Sequence, residues 1–180
     1  MKTTIKKLTA LFLFAIAFTA CSSDDDNPLV INEEETITTV RLTVLESGMS
    51  TPEIYTWTES SQDDITLSAN SSYNFKIEFL DESDPNDVED ITAEVIDERD
   101  EHFVYYETTV NGLSFTNASD DTIDSNNTGI NISTDWSSTD AATGIIRAFL
   151  IHEPTTKTGD SRDDFGGETD VEVSFNITVQ

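Results

Sequence analysis

Two histidines and 36 acidic residues are the side chains of this 180-residue chain best suited to holding a ligand or a metal ion. Both histidines have acids beside them, in Asp100-Glu101-His102 and in His152-Glu153. Imidazole together with carboxylate is the donor set that suits zinc, copper or iron. One group opens a segment with the pattern of a β-strand and the other closes such a segment, and two strand ends can meet at one rim of a β-fold. His102, His152, Glu101 and Glu153 are therefore the candidate metal ligands, and a divalent ion is the cofactor they imply. The reading requires the two histidines to lie within about 5 Å of each other, or to share a water. The alternative is a pair of unrelated strand-end histidines.

Other chemistry is sparse. The chain has no Gly-x-Ser-x-Gly elbow, no Gly-rich loop ending in Lys-Ser/Thr and no His-Glu-x-x-His. The expectation is therefore a protein that is not an enzyme, with no catalytic residues. A carboxylate-based hydrolase stands as a second alternative, because 36 acids place some pair at any spacing such a reaction needs. Dense carboxylates also occupy two polar stretches, Asp81-Glu82-Ser83-Asp84 with Asp87, and Asp160 with Asp163-Asp164. Neither has the Asp-x-Asp-x-Asp-Gly spacing of an EF-hand loop, so solvated charge is the expectation there.

The single cysteine carries a different chemistry. Lys2, Lys6 and Lys7 precede an apolar run from Leu8 to Phe18, then Thr19, Ala20 and Cys21. Basic, apolar and small residues in that order make a secretory signal peptide over residues 1–20. The apolar run is shorter than the roughly 20 residues a membrane span needs. A cysteine directly after the cleavage point resembles the lipobox of bacterial lipoproteins, with Phe18 where that pattern usually has Leu. The resemblance makes Cys21 the lipid attachment site. An ordinary secreted protein with a leftover cysteine is the alternative. Residues 21–35, with Asp24-Asp25-Asp26 and Glu33-Glu34-Glu35, then form an acidic tether with much charge to solvate and little to bury. Ser22 and the aspartates behind it look like the signal that sends Bacteroidetes lipoproteins to the outer face of the outer membrane; the periplasmic face is the alternative.

The formal charge is −27, and three of the nine basic residues lie in the leader, so the mature chain is more negative still. Such a surface repels nucleic acid and anionic head groups, which argues against a nucleic-acid partner. With Cys21 acylated no thiol remains for a disulfide, and stability must come from core packing.

The body that positions the histidines spans residues 36–180, a size that suits one domain with one core. Its pattern has period two. Val40, Leu42 and Val44 alternate with polar residues, Ile54 to Thr58 and Ile65 to Ser68 follow, and Tyr73, Phe75, Ile77 and Phe79 form an aromatic stripe. Asp90 is placed to cap one short helix carrying Ile91 and Val95, which crosses between sheets. His102 to Val110 and Leu113 to Asn117 flank Asn111-Gly112, the signature of a type I′ hairpin. Ile130 and Ile132 precede Trp136, and Ser137 to Thr143 reads as a linker. Ile145 to His152 is apolar on nearly both faces and is expected to be central. After a long loop over Thr155 to Gly167, Val171 to Val179 closes the chain. Eight or nine short strands and one helix predict an all-β antiparallel β-sandwich, immunoglobulin-like or jelly-roll, with a closed barrel as the alternative.

Several stretches, Cys21-Ser-Ser-Asp-Asp-Asp, Val30 to Glu35, Ile37 to Val40, His152-Glu153-Pro154 and Gly166 to Val171, resemble a group of short flavobacterial surface lipoproteins. Members of that group commonly carry the label "type 1 periplasmic binding fold superfamily protein". A type 1 periplasmic binding fold has two α/β lobes, which about 160 residues without amphipathic helices cannot build, so the label is a family tag and not a fold. The resemblance implies a lipid-anchored protein of the outer membrane working beside a TonB-dependent transporter. The leading functional expectation is a non-enzymatic cell-surface lipoprotein that binds a ligand (a metal ion or metal complex) or such a transporter. A structural or adhesive surface protein is the first alternative.

Overall fold

The computed structural model describes residues 36–180. The signal peptide, Cys21 and the acidic tether lie outside the described residues. Among those described, no helix is long and apolar enough to cross a membrane.

Two sheets face each other. Strands β1 (Thr39–Glu46), β2 (Glu53–Thr58) and β3 (Ser61–Gln62) lead to β4 (Ile65–Leu67) and β5 (Ser72–Asp81). β6 (Glu89–Asp90) precedes helix α1 (Ile91–Asp97), and β7 (His102–Thr108) and β8 (Leu113–Asn117) follow. β9 (Ser133–Ser138), β10 (Ala142–His152), helix α2 (Arg162–Phe165) and β11 (Glu168–Val179) complete the order. The larger sheet runs β3-β2-β1-β5-β9-β8 with β6 beside β5, and the smaller runs β4-β11-β10-β7. Two separate sheets make the fold a sandwich and set aside the closed barrel.

The period-two residues do what their spacing demands. Val40, Leu42, Phe75, Ile77 and Trp136 from the larger sheet share one buried cluster with Val104, Tyr106, Ile146, Leu150, Phe175 and Ile177 from the smaller. Burial of large side chains on this scale, at about 1.5–3 kcal/mol each, is what holds the sheets together in place of a disulfide. β10 is central, between β7 and β11. Its second apolar face is covered as well, because Phe149 and Ile151 join Phe103, Tyr105 and Phe165 in a smaller buried cluster. Phe165 comes from α2, in the loop after β10, and packs tilted against Tyr105 with ring centroids 4.6 Å apart.

Several expectations need correction. The strands number eleven among the described residues, the extras including the two-residue β3 and β6, which sit inside polar stretches. One ladder, β4 with β11, is parallel. The helix capped by Asp90 is present and links a strand of one sheet to a strand of the other, with Asp90 accepting from the Ala93 amide. A second helix, α2, was not expected. Its single turn is started by Asp164, whose carboxylate accepts from the Ser161 amide and hydroxyl. The Asn111-Gly112 hairpin is absent. β7 pairs with β10 and β8 pairs with β9, so this turn is a corner between sheets. The Leu113 amide donates to the Val110 carbonyl, and the positive φ falls on Gly112 (+76°) and not on Asn111. A type I′ turn needs positive φ at both central residues, whereas a type II turn needs it only at the second. The linker after Ser137 is also shorter than expected, since β9 runs to Ser138 and β10 starts at Ala142.

Candidate metal centre at the sandwich rim

His102 and His152 begin and end adjacent antiparallel strands and stand directly opposite each other in the register. Alternation decides which way they face. Along β7, Val104 and Tyr106 enter the main core while Phe103 and Tyr105 enter the second cluster. His102 has the parity of Val104, and His152 has that of Leu150, so both lie on the core-facing side at the last step before the loops. Directly paired residues on one face bring their Cβ atoms to about 4.5–5.5 Å. The imidazoles accordingly stack, with centroids 4.8 Å apart and planes inclined by 10°. The distance that the sequence reading required is met.

A third ligand comes from β11. Its register against β10 slips at Leu150/Ile151, where Leu150 faces Val171 and Ile151 faces Thr169. Asp170 is the residue left over. In an unbroken strand the alternation through Val171 and Val173 would turn Thr169 toward the histidines and Asp170 away. A β-bulge inserts one residue and re-aims a side chain. Here it leaves an Asp170 carboxylate oxygen 3.9 Å from His102 Nε2. Gly167 (φ +63°) lets the chain turn in tightly before this bulge: a Cβ there would fall 2.2 Å from the His152 carbonyl oxygen.

His102, His152 and Asp170 thus offer one ligand atom each from three neighbouring strands, all within 4.8 Å of one another. Tetrahedral ligands held about 2.0–2.1 Å from a zinc ion are separated by roughly 3.3 Å, so small side-chain rotations close the set. A second group, Glu101, His152 and Glu153, meets the same 4.8 Å limit. It lies farther out, with Glu101 Oε2 at 4.0 Å from His152 Nε2. The Glu153 amide donates to the Glu101 carbonyl, continuing the ladder one step past the histidines and holding these two residues side by side.

The protonation state suits a metal. Burial pushes the His102 imidazole below its ordinary range. His152 acts in the same direction, against the opposing pull of the Glu98 carbonyl, Glu101 and Glu94. Only neutral imidazole is a ligand. His102 Nδ1 lies 3.3 Å from the Glu98 carbonyl oxygen, which can only accept, so the contact assigns a proton to Nδ1, and Nε2 is on the side of Asp170. A ring N–H bound to a backbone carbonyl is the usual way a metal-ligating histidine is oriented. Glu98 is the C-cap residue of α1, so the end of the short helix sets the tautomer.

The turn between α1 and His102 is held from outside. Asp100 accepts from the Ser125 amide at 2.6 Å, and Lys157 donates to the Arg99 carbonyl and to Asp124. Asp100, two residues before His102, is therefore part of the support and not of the ligand set. Of the four sequence-predicted ligands, His102 and His152 fall in the inner group, and Glu101 and Glu153 join His152 in the outer one. Asp170 was missed: in sequence it is one more acid before a regular strand, and nothing local announces the bulge.

Compared with family models, curated proteins and solved structures, the chain has no match among any of them.

Proposed function

We propose that this chain is a non-enzymatic, lipid-anchored protein of the outer membrane, displayed at the cell surface, whose β-sandwich binds a divalent transition-metal ion at the rim of its smaller sheet. One observation carries the binding reading: two histidines 50 positions apart in the chain stand in register and stacked on the core-facing side, His102 buried and His152 half-buried, with a carboxylate beside them. The donor set of two imidazoles and one carboxylate favours zinc or copper over calcium, which takes oxygen ligands. Three protein ligands leave further positions on the ion open, as suits a site that acquires and releases its cargo. An ion or complex passed to a TonB-dependent transporter is the role that joins this site to the lipoprotein features. A structural or adhesive surface protein would be favoured by histidines lying far apart together with an exposed apolar patch, and here the imidazole centroids are 4.8 Å apart. The hydrolase alternative draws no support from Asp81, Asp84, Asp100, Asp120, Asp124 and Asp164, whose carboxyls sit below the ordinary range, the opposite of a general acid.

Calorimetric titration of the mature chain with Zn²⁺, Cu²⁺ and Ca²⁺ tests the binding reading. One equivalent of Zn²⁺ or Cu²⁺ is expected to bind, with the site lost in both His102→Ala and His152→Ala. Weak, multiple association indifferent to the histidines would refute it. The anchor has its own test: in bacterial membranes, Cys21→Ser is expected to abolish acyl labelling, and labelling that survived would exclude Cys21 as the attachment point.

A further inference from the structure

His152 belongs to both ligand groups, and the two differ in exposure. In the inner group the His102 side chain is 2% exposed and Asp170 is 10% exposed. His152 stands at 12%, and Glu101, in the outer group, at 60%. Glu153 is also exposed, and a backbone φ of +47° at this residue turns the chain directly after His152. The ligands therefore form a graded series from solvent to core, with one imidazole common to both ends.

We propose that Glu101, His152 and Glu153 are a staging position through which an ion reaches, and leaves, the less exposed inner set His102, His152 and Asp170. This rests on the metal-binding reading above and adds a route to it. An aquated ion meets the exposed carboxylates first and exchanges water for Glu101 and Glu153. It takes His152 as its third ligand, then trades the two carboxylates for His102 and Asp170 while His152 stays bound. No step requires the ion to be stripped of all its ligands, and the passage needs only side-chain rotation. The outer carboxylates bind the ion only in transit, so they set rates and not affinity. Hard oxygen ligands outside and imidazole within also favour inward movement of zinc or copper over calcium.

The test is exchange kinetics with Zn²⁺ and a chromophoric chelator, on the mature wild-type chain and on Glu101→Gln/Glu153→Gln. A control, Glu59→Gln/Asp87→Asn, removes two exposed acids elsewhere and so matches the change in net charge. A staging position lowers the barrier in both directions. The double variant should therefore bind and release Zn²⁺ more slowly, each by about tenfold, a barrier change of about 1.4 kcal/mol, with the equilibrium affinity held within about threefold. The control should behave as wild type. Wild-type exchange rates in the double variant would overturn the inference and leave the metal site standing. Slower binding with unchanged release would reduce the carboxylates to electrostatic attraction and overturn it too. A wild-type chain that takes up no Zn²⁺ would bring down both the route and the reading beneath it.

Discussion

The histidine rim and the acidic loop around α2 contain the same kind of side chain and use it in opposite ways. In the loop, Asp164 accepts from the Asp160 and Ser161 amides, four and three residues away, and its carboxyl is held below the ordinary range by those bonds. Asp84 does the same with the Asn86 amide. These carboxylates fold their own loops. At the rim, Asp170 faces His102 across two strands, over a separation of 68 positions along the chain. Carboxylates engaged by neighbouring amides hold their own loops, whereas the Asp170 carboxylate is brought by a bulge in β11 beside imidazoles from two other strands. Charge density, which is high in both regions, does not tell them apart. The partner does: backbone amides in the loop, imidazoles at the rim.

Substituting one aspartate in each region sharpens the contrast. Asp170→Asn keeps size and shape but removes the anionic ligand, and Zn²⁺ affinity should fall by about a hundredfold in calorimetry, close to 2.7 kcal/mol. Unchanged affinity would leave Asp170 out of the site. Asp164→Asn, the smaller effect, should leave Zn²⁺ affinity alone and change only stability. A carboxyl whose folded pKa is lowered contributes stability that is present above its unfolded pKa of about 3.9 and lost as the pH falls through the lowered folded value. The variant should therefore unfold at lower urea than wild type at neutral pH, with the two converging in acid. A gap that persisted in acid would mean that Asp164 does not act through its charge.

Much of this arrangement was legible in the sequence, for definite physical reasons. Period-two alternation gave the strands, and the double-sided apolar run Ile145 to His152 gave the central strand, because a strand buried on both faces has no polar side to show. The histidines could be paired as candidates because both lie at strand ends with acids beside them. What stayed hidden depends on pairing between distant segments. Asn111-Gly112 marks a turn in any case, but which strands it joins is decided by β9 and β10, not by the turn itself. Likewise the bulge at Asp170 exists only in relation to Leu150 and Ile151, and α2 is held by Phe165 against the outer face of β7 and β10. Gly166-Gly167 was the nearest clue to the bulge, since consecutive glycines before a strand mark a tight approach of two backbones.

The central claim is that the rim, and not the acidic surface, takes the metal. X-ray absorption at the zinc edge, on the mature chain loaded with one equivalent of Zn²⁺, examines the ligands themselves. The account predicts two imidazole nitrogens at about 2.0–2.1 Å with carboxylate or water oxygen completing the shell. A shell of oxygens alone, with no imidazole scattering, would place the ion on the acidic surface and contradict the claim.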